Sequence, residues 1–193
     1  MTSGARATDR ERGRSPRRPV RWLGALLGLA VAAGGCGGAD LVAPECSPGQ
    51  RLAIVAQSVP AAKYLPCVEL LPAGWRVSSF EVDDDGARLE LRSDRSARPI
   101  GVSLSASCQH GGATSISPRA DGVRSYLLVD SISPRYAGRF YDVYSGGCVI
   151  SEFDFDRGPH ITLVDELRSA IGLYPRRQLA RELEDDLGVR LDP

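Results

Sequence analysis

The sequence predicts an α+β fold, in which an antiparallel β-sheet is followed by two C-terminal α-helices and stapled by two disulfides. Three observations predict it. Apolar and polar residues alternate along several short segments, the apolar spacing becomes helical after residue 159, and four cysteines lie beyond residue 45. The chain has 193 residues, which suits one hydrophobic core plus a processed leader, since single cores rarely split below about 250 residues.

The predicted strands lie between residues 75 and 156. Segments 75–82 and 87–92 flank Asp83-Asp84-Asp85-Gly86, and Asp and Gly are turn-forming residues, so the two segments are predicted to form a hairpin. Further strands are predicted at 100–106, 126–129, 140–144 and 148–156. Because short turns separate these segments, the sheet is predicted to be antiparallel. Before them, residues 52–59 suit a strand or a short helix, and the prolines at 60, 66 and 72 predict short extended pieces.

Two helices are predicted at the C-terminal end. The apolar face of the first comprises Leu163, Leu167, Ala170 and Ile171, and that of the second comprises Leu179, Leu183 and Leu187. Pro175 suits the first helical position of the second helix, and Gly188 suits its C-cap. Helices gathered after an antiparallel sheet are typical of the α+β class.

Residues 1–35 have the organisation of a signal peptide. Seven arginines lie in residues 1–21, and residues 22–33 form an uncharged apolar run of 12 residues. A helix that crosses the hydrocarbon core of a bilayer needs about 20 residues, so a permanent span is disfavoured. Arg17-Arg18 suggests a twin-arginine signal, but the residues after it match that pattern poorly, so the general secretory route is preferred.

The apolar run ends in Val31-Ala32-Ala33-Gly34-Gly35-Cys36. This segment resembles the lipobox of bacterial lipoprotein precursors, although Ala33 stands where leucine is usual. The resemblance implies lipidation of Cys36 and cleavage before it, which would anchor the protein on the extracytoplasmic face of a bacterial cell membrane. Ordinary, non-lipid cleavage among the same small residues is the alternative. Residues 36–50 contain several glycines and prolines and are predicted to be a lipidated, flexible tether, followed by a single domain at 51–193.

The cysteine count agrees with export. Without Cys36 the chain has four cysteines, an even number that suits disulfides in an oxidising compartment. The preferred pairing is local: Cys46 with Cys67, and Cys108 with Cys148. Four buried free thiols are the alternative.

Charge and motifs exclude several function classes. Residues 36–193 hold 17 basic and 22 acidic residues, and such an acidic body disfavours nucleic acid as a partner. No two cysteines have Cys-x-x-Cys spacing, so a metal site built from sulfur is disfavoured. No motif implies a cofactor.

Two clusters of side chains are candidate binding sites. Glu152, Asp154 and Asp156 alternate along one predicted strand and could hold a hard cation, although a solvated sheet face is the preferred interpretation. Tyrosine and arginine are also concentrated between residues 124 and 144, which is typical of polar binding surfaces, with core packing as the alternative. That possible binding surface comprises Arg124, Tyr126, Arg135, Tyr136, Arg139, Tyr141 and Tyr144.

No catalytic residues are predicted. His110 and His160 are the available imidazoles, and no Gly-x-Ser-x-Gly, phosphate-binding or His-Glu-x-x-His motif accompanies them. The body contains Leu71-Pro72-Ala73-Gly74-Trp75, the Tyr141 region, Gly146-Gly147-Cys148 and the Phe153-Asp154-Phe155 strand. With these features it resembles small uncharacterised envelope proteins of high-GC Gram-positive bacteria, which implies location alone. The first hypothesis is a non-enzymatic envelope lipoprotein that binds an envelope component or a partner protein. The second is an envelope hydrolase with an unfamiliar site.

Overall fold

A computed structural model describes residues 43–96, 98–157 and 160–191, which belong to one compact unit, Ala39–Pro193. The elements in chain order are α1 (Gln50–Ser58), β1 (Tyr64–Val68), β2 (Trp75–Asp83), β3 (Gly86–Ser93), β4 (Ile100–Ser105), β5 (Thr114–Ile116), β6 (Arg124–Ser131), β7 (Tyr136–Tyr144), β8 (Gly147–Phe155), α2 (His160–Ala170), β9 (Ile171–Pro175) and α3 (Arg176–Leu187). The predicted α+β class, with its two C-terminal helices, is confirmed.

The strands form two antiparallel sheets. The larger sheet has seven strands in the order β2-β3-β4-β8-β7-β6-β5, and β1 pairs with β9 in a separate two-stranded sheet. The β2–β3 turn is the predicted one, because Asp83 Oδ1 accepts hydrogen bonds from the amides of Asp85 and Gly86 at 2.9 and 3.0 Å. Chain-adjacent strands pair across most of the large sheet, as short connections require.

The register of the large sheet divides its side chains between two faces. One row across the strands joins Leu89, Val102, Ser151 and Phe140, all buried, on what we call the inner face. The next row joins Arg88, Ser103, Ile150, Tyr141 and Tyr126 on the opposite, outer face. The inner row is therefore fully buried, whereas the outer row mixes charged, polar and apolar side chains.

The helices and the small sheet cover the inner face. Phe155 of β8 lies in a buried cluster with side chains from these elements. The cluster includes Leu52 and Val55 of α1, Leu65 of β1, and Leu163 and Leu167 of α2. Burial of such side chains stabilises a fold by about 1.5–3 kcal/mol each. No helix covers the outer face within the described residues.

Both predicted disulfides are present. Cys46 pairs with Cys67 across a Cα–Cα distance of 4.9 Å, and Cys108 pairs with Cys148 across 6.2 Å. The first joins the segment before α1 to β1, and the second joins the β4–β5 connection to the start of β8. The local pairing preferred from the sequence is confirmed.

The predicted tether is wrong for its described part. Ala43 is buried, Cys46 N donates to Val68 O at 3.1 Å, and Val68 N donates to Pro44 O at 2.7 Å. The folded body therefore begins by residue 43 rather than at 51, because the Cys46–Cys67 disulfide and these backbone bonds hold the segment against β1. The predicted signal peptide and residues 36–42, which include Cys36, lie outside the described residues.

Around the helices, one expectation that was left open is decided and two are wrong. Residues 52–59, which suited either a strand or a helix, belong mainly to α1. Ile171 does not continue the apolar face of α2, because the helix ends at Ala170 and Ile171 pairs with Val68 in the small sheet. Pro175 is the N-cap of α3 rather than its first helical residue, whereas Gly188 forms the expected left-handed C-cap at φ 65°.

The strand boundaries extend beyond several predictions. The segment predicted at 126–129 is Arg124–Ser131, and that at 140–144 is Tyr136–Tyr144. Among the described residues, the helices are all too short or too polar to span a membrane.

Candidate binding surface

The seven residues of the predicted tyrosine–arginine surface do not form one patch. Because alternate residues of a strand point to opposite faces, β7 sends Tyr136 and Tyr144 to the inner face, and Arg139 and Tyr141 to the outer face. The prediction of one surface from all seven residues is therefore wrong. Arg124, Tyr126 and Arg135 belong with the outer group.

Tyr136 and Tyr144 are packing residues. Tyr144 is buried, and its hydroxyl donates to Tyr64 O at 2.7 Å. Burial, the largest cause, and the nearby Asp142 raise the pKa of Tyr144 far above its ordinary value. The Tyr136 ring stacks on Phe153 and His160, each with ring centroids 5.4 Å apart. For these two residues, the core-packing alternative is the correct one.

A loop covers the aromatic residues of the outer face. His110, in the β4–β5 connection, stacks on Tyr126 with centroids 4.2 Å apart and lies 6.4 Å from Tyr141. Tyr141 is consequently buried, although it lies on the outer face. The Cys108–Cys148 disulfide fastens this loop to β8. The tyrosine rings here support the loop and offer little area to a ligand.

Arginine and carboxylate side chains gather beside this covered region. We call them the outer charge cluster; its members are Arg98, Asp130, Arg135, Arg139, Glu152 and Asp154. The strand register brings them together. Arg139 of β7 pairs with Glu152 of β8 on one side and with Leu128 of β6 on the other, and Asp130 follows Leu128 by two residues. Two arginines of the predicted surface thus meet two carboxylates of the predicted cation site.

Asp154 is the least exposed member of the outer charge cluster. Its side chain is 13% exposed, and Oδ2 lies 2.9 Å from Arg135 Nη2 and 3.5 Å from Arg98 Nε. Oδ1 is buried and has no hydrogen-bond partner. A buried carboxylate oxygen without a donor is energetically unfavourable. A donor that reached Oδ1 would therefore gain a hydrogen bond, although this oxygen is closed to solvent in the structure.

Arg139 and Asp130 form the second pair of the cluster. Arg139 Nη2 lies 3.2 Å from both carboxylate oxygens of Asp130, and Nε lies 3.4 Å from Oδ2. The hydrogen bond to Asp130 is the main reason that the pKa of Arg139 is raised above its ordinary value. Both side chains are more than a third exposed, so the pair is accessible to a ligand and contributes little to folding.

A cleft of about 420 Å³ opens among these side chains. Gly138 and Ala137 of β7 form part of its lining, together with Pro99. Small residues at this place leave the guanidinium of Arg139 accessible beside the mostly buried carboxylate of Asp154. Opposite charges at fixed spacing suit a ligand with several hydrogen-bonding groups, such as a polar glycan or a charged peptide segment.

The predicted cation-binding stripe is interrupted. Glu152 and Asp154 lie on the outer face, but β8 ends at Phe155, and Asp156 follows it beside Arg157 at 3.7 Å. Within 43–96, 98–157 and 160–191, no group of three or more His, Cys, Asp or Glu residues could hold a metal ion. The arginines beside Asp154 occupy the positions that a cation would need.

The two histidines lack a catalytic arrangement. His110 Nδ1 is buried without a hydrogen-bond partner, and the His160 ring stacks on Tyr136 at an interplanar angle of 12°. In the part of the chain that the structure describes, neither imidazole is hydrogen-bonded to a serine or a carboxylate. A Ser-His-Asp mechanism needs both contacts, so these residues give the hydrolase hypothesis no support.

The sequence patterns did not indicate Arg98 and Asp130 as members of a candidate site. Asp130 lies at a bulge of β6, where the pairing with β7 shifts between Val129 and Ser131, so the alternation of that strand could not have assigned its face. Arg98 lies between β3 and β4, outside any periodic segment, so no local pattern could have indicated it.

Comparison with known proteins adds no family assignment. No protein-family model matches this chain, and neither a curated protein nor a solved structure matches it.

Proposed function

We propose that the protein is a lipid-anchored, extracytoplasmic binding module of the bacterial cell envelope. The observation that carries the proposal is the pairing of Cys46 with Cys67 and of Cys108 with Cys148. These pairs use every cysteine of the folded body and leave Cys36 as the odd thiol, directly after an apolar leader. Disulfides are typical of exported proteins, and a thiol at the lipobox position is the acceptor for acylation.

The outer charge cluster is the proposed binding surface. Arg139 and Asp130 are accessible, and Asp154 Oδ1 has unused capacity to accept a hydrogen bond. A non-enzymatic role is favoured because the described histidines are held by aromatic stacking. The partner would be an envelope component or a protein presenting both donors and acceptors.

Mass analysis of the protein recovered from its producing cells tests the anchor. We expect a chain that begins at Cys36 and carries a diacylglyceryl group, and we expect C36S to remove the modification. Recovery of the chain in the cytosol with its first methionine and reduced cysteines would refute the proposal. An unmodified chain cut nearby would retain export but refute the lipid anchor.

Site-specific photo-cross-linking in intact cells tests the surface. A photoreactive residue at Ala137, which lines the cleft, should give a discrete adduct. The matched control is the same residue at Gln57, which is exposed on α1. The combined substitutions R139M and D154N should abolish the adduct at 137. An adduct that persists, or that forms equally at 57, would refute binding at the outer charge cluster.

A further inference from the structure

A second concave surface lies on the helical side of the body. It is a groove of about 670 Å³ between α2 and the connection from β1 to β2. We call it the α2 groove; its lining comprises Glu69, Leu70, Pro72, Thr162, Asp165, Glu166 and Ser169. The four helical residues recur at positions i, i+3, i+4 and i+7, so they form one continuous stripe along α2.

Several hydrogen bonds hold both walls of the α2 groove in place. Glu69 N donates to Ala170 O at 2.9 Å, which ties the start of the connection to the end of α2. Arg95 contacts both oxygens of Glu166, at 3.1 and 2.6 Å, and also donates to Ala73 O at 3.4 Å. The groove is therefore preformed, and a ligand would not have to order its walls on binding.

The rim of the α2 groove carries exposed apolar side chains. Leu70 is 76% exposed in the groove itself. Ile161 is 80% exposed and lies four residues before Asp165, so it borders the same stripe of α2. Covering a leucine or isoleucine that is otherwise in water contributes about 1.5–3 kcal/mol. A ligand with apolar side chains would gain this contribution from both residues.

The charges of the α2 groove are acidic and only partly balanced. Arg95 pairs with Glu166, whereas Glu69 and Asp165 have no ion pair among the described residues. The groove thus combines apolar surface with two carboxylates that are available to cations. Such a surface repels the anionic headgroups of a membrane leaflet. It attracts a segment that is both basic and apolar.

We propose that the α2 groove binds a basic, apolar polypeptide segment of a partner protein. Leucine-like side chains of the segment would cover Leu70 and Ile161, while arginine or lysine side chains would pair with Glu69 and Asp165. This proposal goes beyond the proposed function, because it assigns a second binding surface and the chemistry of its partner. It does not depend on the outer charge cluster, which lies on the other side of the large sheet from α2.

Fluorescence anisotropy with a labelled probe peptide tests the groove. The probe has two leucines flanked on each side by two arginines and is blocked at both ends. The protein is purified from its producing cells in non-ionic detergent with both disulfides formed, and protein-free detergent is the blank. We expect saturable binding that weakens as salt is raised, since exposed charges are screened within about 8 Å at physiological salt. A peptide with glutamates in place of the arginines should not bind.

Two variants and their matched controls locate the binding. L70S should weaken binding about tenfold or more, and the double variant E69Q/D165N should weaken it about fivefold or more. The controls are I132S, which alters a residue 73% exposed elsewhere, and D85N, which alters an exposed turn carboxylate. Both controls should bind as the unmodified protein does, and circular dichroism should show that all variants are folded.

Three outcomes would overturn the proposal. The probe could fail to saturate, the controls could weaken binding as much as the groove variants, or spermidine could displace the probe at equal concentration, which would indicate a site for small cations. Mass analysis of Cys36 on the same purified protein separates these failures from failure of the anchor. A protein that is anchored but does not bind the probe refutes only the α2 groove.

Discussion

Asp142 and Asp154 lie on neighbouring strands of the large sheet but on opposite faces. The Asp142 side chain is 4% exposed; it accepts from Ser125 Oγ at 2.6 Å and from Arg119 Nη1 at 3.1 Å. Arg119 is in turn held by the carbonyls of Arg168 and Ile171. Asp154 contacts Arg98 and Arg135, which are both more exposed than Arg119, and one of its oxygens has no hydrogen-bond partner.

This difference indicates that arginine–aspartate pairs have two roles in this protein, one in folding and one in binding. On the inner face, Arg119 joins β7 to the end of α2 and the start of β9, and its charge is matched by a fully bonded carboxylate. A buried pair of this kind is costly to break, because the remaining charge has no partner. On the outer face, Arg98 and Arg135 are 67% and 42% exposed, so these partners of Asp154 can exchange it for a ligand. The inner pair supports the fold, and the outer cluster suits binding.

The largest expected effect is that of D142A. Removal of the carboxylate leaves Arg119, whose side chain is only 16% exposed, without its counter-charge and should lower the free energy of unfolding by about 3–5 kcal/mol. Urea unfolding of the oxidised protein, followed by tryptophan fluorescence, measures this loss. The matched outer-face control is D154A. Equal losses in the two variants would contradict the distinction between the faces.

Loss of either disulfide should have a slightly smaller effect. The sequence separations are 21 residues for Cys46–Cys67 and 40 for Cys108–Cys148. In the chain-entropy model, their removal by paired cysteine-to-alanine substitutions lowers the free energy of unfolding by about 3 and about 4 kcal/mol. Similar losses would show that covalent links stabilise both faces alike. A much smaller loss for C108A/C148A would indicate that the outer loop is held by His110 and Tyr126 instead.

D154A itself should lower the free energy of unfolding by less than about 1 kcal/mol. Its partners Arg98 and Arg135 are 67% and 42% exposed, and such ion pairs contribute little. The same variant should nevertheless weaken the cross-linking at Ala137. Urea unfolding and adduct yield, measured on one preparation, separate the two effects. A large loss of stability would assign Asp154 to the fold rather than to binding.

The smallest expected effect is a pH dependence on the helical side. Burial, and then the hydrogen bond from the Tyr174 hydroxyl to Glu182, raise the pKa of Tyr174 to about 12. Since the pKa is raised in the folded state, the contribution to stability is complete below about 10 and is lost as pH rises through about 12. Absorbance titration of tyrosinate, with Y174F as the difference control, measures this pKa. A value near 10 would contradict the contact.

Hydrogen bonds from Tyr174 and Gln178 lower the pKa of Glu182. A lowered carboxyl pKa contributes stability that is present above its unfolded value and is lost as pH falls through the folded one. The helical side should therefore respond to both extremes of pH through one small group of side chains.

Much of the large sheet could be predicted because its signals are local. The alternation of Leu89 and Leu91 with charged residues, and the aspartate-rich turn before them, lie within a few residues of one another. The small sheet could not be predicted, since Cys67 pairs with Gly172 more than a hundred residues away. Neither β1 nor β9 shows a clear alternation of burial. The apolar spacing therefore led to the wrong assignment of Ile171 to the preceding helix.

The candidate site was predictable in composition but not in arrangement. The sequence indicated arginines, tyrosines and carboxylates between residues 124 and 156 as polar groups of interest. It could not tell that Tyr144 faces the core while Tyr141 lies under a loop, because face assignment depends on the register of each strand. It also could not tell that Arg98 would reach Asp154 from another connection.

The sequence by itself determined the class of fold, the β2–β3 hairpin, the Gly188 cap and the local pairing of the cysteines. The hairpin and the cap depend on residues close in the chain, whose backbone preferences act before any core is formed, and each cysteine of the folded body pairs with the nearest other cysteine of that body along the chain, 21 or 40 residues away. Only the tertiary structure decided which charges are buried, which carboxylates find an arginine, and where the α2 groove opens. These features depend on contacts between distant segments, and such contacts leave no periodic pattern in the chain.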